Sequence, residues 1–194
     1  MAMAQRQAPA ACLTYDEYLR EGEVTYRYDI IDGVRVGPAA PLTVHQILLM
    51  NLTFVFEQYR RNGGVARPLP APVDVLIRKA PLRVRQPDMI AISLAVYRAH
   101  NVRAIRGPLD FAPELVVEII SDSDQKKAFA GKIADYASIG VQECWVVRLV
   151  GEIVEVLVII GRKLFPAATY VQGQDVQSVV FPDLRVPVAD IFAD

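Results

Sequence analysis

Residues 115–120 read Leu-Val-Val-Glu-Ile-Ile. A short unbroken apolar run rich in β-branched side chains is the pattern of a strand buried on both faces. Glu118 is its one polar side chain. A carboxylate in such a run needs a partner, a raised pKa or a metal. Glu114 shares its strand face by alternation, but Pro113 sets Glu114 at the start of the strand, where it is expected in solvent. After the strand, residues 123–139 carry a helical pattern closed by Gly140. Two further apolar strands follow, over 144–149 and 153–160, joined at Val150-Gly151-Glu152. Before it, Thr14 with Glu17 three residues on is a capping box that starts a short helix through about residue 20. Asp32-Gly33 turns a hairpin between 26–31 and 34–37. A helix is predicted over 43–61, stopped by Asn62-Gly63-Gly64, with strands over 73–77 and 89–92 and a helical turn over 188–192. Helices and strands mix without strict βαβ alternation. The expectation is an α/β chain of α+β type, with a mixed β-sheet flanked by helices and an additional antiparallel hairpin region.

The 194 residues fit one domain, expected over 13–194, with 1–12 as a disordered leader. Cys12 and Cys144 offer no disulfide framework, which favours a reducing, cytoplasmic setting. With no C-x-x-C pair and only His45 and His100, a zinc-finger-like site is excluded and no all-protein Cys/His metal centre is expected. The most apolar stretch, 144–160, is broken by Arg148, Glu152 and Glu155, so no membrane span is expected. The net charge is −1, yet residues 60–106 carry ten basic side chains against Asp74 and Asp88, a net of +8, which leaves −9 elsewhere. Such segregation points either to an anionic partner or to ordinary solvated loop charges.

Asp88, in Gln86-Pro87-Asp88, opens a strand, and Asp74 is a lone acid in Pro72-Val73-Asp74-Val75. Together with Glu118, three lone carboxylates on three sheet segments can converge on a divalent cation. Oxygen-only ligands suit Mg²⁺ or Mn²⁺. Taken singly, each aspartate can equally cap a turn or pair with an arginine. Lys132 lies in the helix after the Glu118 strand, with Tyr136 four residues on. A lysine aimed at a carboxylate–metal site stabilises charge on an attacked phosphate; the alternative is an exposed helical lysine.

The order of these pieces resembles the bacterial Uma-two family, restriction-endonuclease-like proteins of the PD-(D/E)XK nuclease superfamily. The resemblance is carried by Leu13 to Tyr18, Arg27-Tyr28-Asp29-Ile30-Ile31-Asp32-Gly33, Pro41 to Gln46, Asp74-Val75, Gln86-Pro87-Asp88, Pro113 to Ile119, Lys132 to Tyr136, Gly140 to Glu143, Trp145-Val146-Val147 and Phe181-Pro182-Asp183-Leu184. It implies a restriction-endonuclease-like fold and metal-dependent hydrolysis of nucleic-acid phosphodiester bonds. Asp88, Glu118 and the backbone carbonyl of Ile119 would hold Mg²⁺ or Mn²⁺. The superfamily's lysine, absent at Ile120, would be Lys132. His45 and Asp74 match further family positions, and Asp29 stands where the family usually carries glutamate. Ala128 replaces a helix acid and Arg148 a strand-end aspartate. Arg78, Lys79, Arg83 and Arg85 are the expected phosphate contacts, with Asp29 and Tyr136 in support. The implied partners are nucleic acid, DNA first, and a second copy of the chain, because 53% hydrophobic residues and a mean hydropathy of +0.24 leave apolar surface to cover. The competing expectation is an inactive nuclease-fold scaffold, since fold does not fix function.

Overall fold

The computed structural model describes residues 12–22, 24, 26–37, 43–120 and 126–193. Helix α1 (Tyr15–Glu21) opens the fold, and both halves of the capping box form: the Thr14 hydroxyl accepts the Glu17 amide, and Glu17 accepts the Thr14 amide. Strands β1 (Asp29–Ile31) and β2 (Val34–Val36) pair as a hairpin. Its turn residues Asp32 and Gly33 have φ of 51° and 82°, the left-handed pair that a two-residue hairpin turn demands. Helix α2 (Thr43–Arg61) follows over the span expected. Strand β3 (Ala66–Pro70) is not foreseen in the sequence, where Pro68 and Pro70 break the strand pattern. It forms because it is an edge strand, where a missing N–H costs no ladder bond.

Strands β4 (Val75–Arg78) and β5 (Arg83–Arg85) lead to β6 (Met89–Ser93) and the short helix α3 (Leu94–Ala99). The apolar run 115–120 is β7 (Leu115–Ile120), followed by α4 (Lys126–Ile139), β8 (Glu143–Arg148) and β9 (Ile153–Ile160). Strand β10 (Lys163–Tyr170), the small pair β11 (Asp175–Gln177) and β12 (Arg185–Pro187), and helix α5 (Val188–Ile191) complete the chain. The start expected for the α4 helix, 123–125, and all of the expected leader except Cys12 lie outside the described residues. Among the described residues no helix is long and apolar enough to cross a membrane.

Six strands form one mixed sheet in the order β10-β9-β8-β7-β6-β3. Only β7 and β8 run parallel, and α4 is the crossover between them. Strand alternation then sorts the side chains. Met89, Leu115, Val117, Ile119, Trp145 and Val147 face Leu48, Leu52 and Phe56 of α2 and Ile191 of α5. The Trp145 and Phe56 rings meet edge to face at 5.2 Å. Ile90, Val116, Cys144 and Val146 face Ile133, Tyr136 and Ala137 of α4. Glu118 has the parity of Val116, so β7 delivers its carboxylate to the α4 side. A second sheet, β2-β1-β5-β4, packs on α1 around Tyr18, Tyr28, Ile30, Leu82 and Val84. Glu114 is not left to solvent as expected: its carboxylate accepts the Ser93 amide at 2.6 Å.

Candidate active site

The β6–β7 ladder pairs Met89 with Val117. One step further, Asp88 stands opposite Glu118, and opposed residues of an antiparallel pair share a face. Both are 2% exposed. Asp88 Oδ2 accepts the Ile119 amide at 2.6 Å. Its Oδ1 meets Arg27 Nη1 at 2.5 Å and His45 Nε2 at 3.1 Å. Glu118 Oε2 meets Lys132 Nζ at 2.6 Å, and Oε1 accepts the Tyr136 hydroxyl. Lys132 and Tyr136 are one turn apart on α4, so one helix face supplies both donors. The structure therefore brings together Asp88, Glu118, Lys132, His45, Tyr136 and the Ile119 backbone.

The two buried carboxylates titrate in opposite directions. Burial favours neutral Asp88, but the His45 hydrogen bond and the Arg27 charge outweigh it and lower its pKa from 3.8 to about 2. Burial dominates at Glu118 and raises its pKa, with the Asp88 charge adding and Lys132 opposing. Burial works to discharge Lys132, yet Glu118, Asp29 and Asp88 together hold its pKa above the usual lysine value. Burial and Glu118 push the Tyr136 phenol well up, so it stays a donor.

A second ring of charge surrounds this centre. Asp29 accepts Arg85 Nη1 at 2.8 Å and the Gln86 amide at 2.9 Å. Arg85 also grips Asp135 of α4 at 2.6 and 2.7 Å, and Arg83 reaches the same Asp135 at 2.9 Å. Asp74 is drawn elsewhere: it accepts the Tyr18 hydroxyl and, at 2.6 Å, Gln86 Nε2. The expected convergence of three carboxylates on one cation is thus corrected. Among the described residues no three His, Cys, Asp or Glu side chains gather as metal ligands. The chemistry of the donor set nevertheless fits Mg²⁺ or Mn²⁺, which take one or two carboxylates and complete their shell with waters and phosphate oxygens. The Ile119 amide points at Asp88, and a strand residue's carbonyl lies on the same side as its N–H. Two carboxylates and one carbonyl then share the end of β7.

The basic segment also needs correction. Arg85 is buried in ion pairs and cannot present itself to a phosphate backbone. Arg78 and Arg83 share Asp32, at 2.5 and 3.3 Å. Lys79 lies over the Tyr15 ring, and Arg67 over that of Tyr97. Arg60 and Arg61 pair with Glu57. Arg98, Arg103 and Arg106 are exposed and have no ion pair among the described residues. They follow the far end of β6, about 16 Å of strand from Asp88 at 3.3 Å per residue. Ala128 is exposed one turn before Lys132, and Arg148 pairs with Glu155 at 2.7 Å. Sequence reading missed Arg27, Gln86 and Asp135. For Asp135 the available signal was its i+3 spacing from Lys132 on α4.

No curated protein matches the sequence. Among solved structures, one from Anabaena variabilis, described as a "putative nuclease belonging to DUF820", superposes with a TM-score of 0.69 at 18% identity, covering 93% of this chain and 98% of its own. That likeness concerns the fold. The sequence profile of the Uma2 family, described as "Putative restriction endonuclease", matches residues 14–189. With its profile spanning nearly every described element from α1 to α5, the chain belongs to the Uma2 family of restriction-endonuclease-like proteins.

Proposed function

We propose that the chain is a metal-dependent endonuclease that hydrolyses nucleic-acid phosphodiester bonds, with DNA as the first substrate to test. The observation that carries this reading is the pairing of Asp88 and Glu118 on adjacent strand ends, with Lys132 Nζ 2.6 Å from Glu118. Asp88, Glu118 and the Ile119 carbonyl are the residues to hold Mg²⁺ or Mn²⁺. When bound, such an ion supplies a water of lowered pKa and screens the phosphate. The chain's own groups do the rest. Tyr136 and Lys132 fix both Glu118 oxygens, and the Ile119 amide fixes one Asp88 oxygen. Lys132, held protonated and a quarter exposed, is the cation that meets the charge building on the attacked phosphate. The β-sheet and α4 exclude bulk water, which strengthens these contacts.

The chain is proposed to act as a homodimer in a reducing, cytoplasmic compartment. Support for the dimer comes from α2, where Met50 and Phe54 are 66% and 65% exposed on one helix face. A second reading, a binding or scaffold protein with an inactive centre, is favoured by one observation: each Asp88 and Glu118 oxygen already accepts a donor from the chain. Incubation with supercoiled DNA, linear DNA and single-stranded RNA, with Mg²⁺, Mn²⁺ or a chelator, separates the two. The nuclease reading expects cleavage with metal and none with chelator. Intact substrates throughout support the scaffold.

A further inference from the structure

Arg27 is the feature that the mechanism leaves unused. It stands just before β1, in the hairpin lobe, yet its guanidinium reaches across to Asp88 Oδ1 at 2.5 Å and to the Gln86 carbonyl at 2.8 Å. Asp88 Oδ2 takes the single Ile119 amide and keeps a lone pair, whereas Oδ1 already takes two donors, so a cation that uses Oδ1 has to displace one of them. Arg27 and His45 hold that oxygen. Of the two, Arg27 carries a charge that it cannot shed.

Charge balance makes the conflict definite. Around the centre, Asp29, Asp88, Glu118 and Asp135 face Arg27, Arg83, Arg85 and Lys132, four against four. A divalent ion adds two positive charges to carboxylates that are 2% exposed. Burying unbalanced charge is costly. If Arg27 leaves and one phosphodiester arrives, neutrality returns. Arg85 cannot leave as easily, being 9% exposed and clamped by Asp29 and Asp135, and Lys132, as exposed as Arg27, sits on Glu118 and not on Asp88 Oδ1. The Arg27 side chain is 24% exposed and has a path to solvent.

We infer that Arg27 is an internal counter-ion that competes with the divalent cation for Asp88, so that the cation binds tightly only as an anionic phosphate accompanies it. This inference rests on the nuclease reading and concerns the regulation of the same site. The test is Mn²⁺ binding followed by electron paramagnetic resonance, without nucleic acid, for the wild type, Arg27→Gln and Asp88→Asn. Arg27→Gln is expected to bind Mn²⁺ at least tenfold more tightly than the wild type, and Asp88→Asn to lose the site. Arg27→Gln binding equally or more weakly, in a chain whose wild type cleaves with Mn²⁺, overturns the competition and leaves the nuclease standing. No Mn²⁺ binding at millimolar concentration in Arg27→Gln overturns the competition, and the nuclease reading falls with it only if the wild type also cleaves nothing with Mn²⁺. If Arg27→Gln fails to fold, a crystal structure of the wild type with Mn²⁺ decides. The guanidinium is expected off Asp88 Oδ1, and an intact Arg27–Asp88 pair beside a bound Mn²⁺ overturns the inference.

Discussion

Asp88 and Glu118 were legible because each is a lone acid in an apolar run. An unpaired charge there is too costly to be incidental. Arg27 was not legible, because Asp88 lies 61 residues away with no periodicity to link them, and Asp135 offered only its i+3 spacing from Lys132, its arginines being 50 or more residues away. Arg85 was misread for the same reason: a basic residue near a turn looks solvated until the fold places Asp29 and Asp135 around it. At this scale Lys132 is the sharpest test. Lys132→Gln keeps a hydrogen bond to Glu118 but removes the cation. Single-turnover cleavage is expected to fall on the order of 10²–10³-fold, the usual cost of one transition-state donor, with Mn²⁺ affinity retained or improved. Asp88 also makes stability depend on pH. Its folded pKa, about 2, lies below its ordinary 3.8. The group's contribution is therefore complete above about pH 5 and is lost as pH falls through about 2, worth on the order of 2 kcal/mol. Urea unfolding at pH 5.5 and 2.5 should show a loss larger in the wild type than in Asp88→Asn by most of that amount, the other carboxylates contributing equally to both. Equal losses in both would show that Asp88 is not specially stabilised as an anion.

Among the elements, those with strong period or clear caps emerged from the sequence: α1 by its capping box, α2 and α4 by pattern and glycine stops, β7 to β9 by apolar runs. The edge strands did not. Strand β3 carries prolines that only an edge tolerates, and β10 is largely exposed with a bulge between Pro166 and Ala168, so neither shows buried-strand patterning. Strand β8 also carries a residue whose role is structural. Glu143 is fully buried and accepts Trp145 Nε1 at 2.5 Å, Ser178 Oγ at 3.0 Å and the amides of Val179 and Val180 at 2.8 and 2.7 Å. Its pairing docks the segment before β12 on the strand that carries Trp145. Glu143→Ala leaves two buried and two partly buried donors unpaired and is expected to destabilise the fold by about 3–5 kcal/mol. A chemical-denaturation difference under 1 kcal/mol would contradict that role.

Across the molecule, the +8 stretch is the clearest divergence between chain order and space. Folding neutralises much of it internally, and the arginines without an ion pair among the described residues are Arg67, over the Tyr97 ring, and Arg98, Arg103 and Arg106 beyond the far end of β6. Nucleic-acid affinity is thus expected to depend on metal more than on a basic face. Salt dependence without metal should be shallow, since few phosphate contacts release few counterions. A steep slope in chelator would relocate binding to Arg98, Arg103 and Arg106. The exposed Met50 and Phe54 stripe belongs to this scale too. Light scattering should give twice the chain mass for the wild type and the single mass for Phe54→Glu; a monomeric wild type at tens of micromolar removes the dimer.

Asp88 and Glu118 are proposed to form a metal-dependent hydrolytic centre. It is tested most directly by single-turnover cleavage of end-labelled DNA with Mn²⁺, comparing the wild type with Asp88→Asn and Glu118→Gln purified identically. The arrangement predicts wild-type cleavage abolished by chelator and a loss of at least about 10³-fold in each variant. Cleavage that survives in either variant, or persists in chelator, contradicts it.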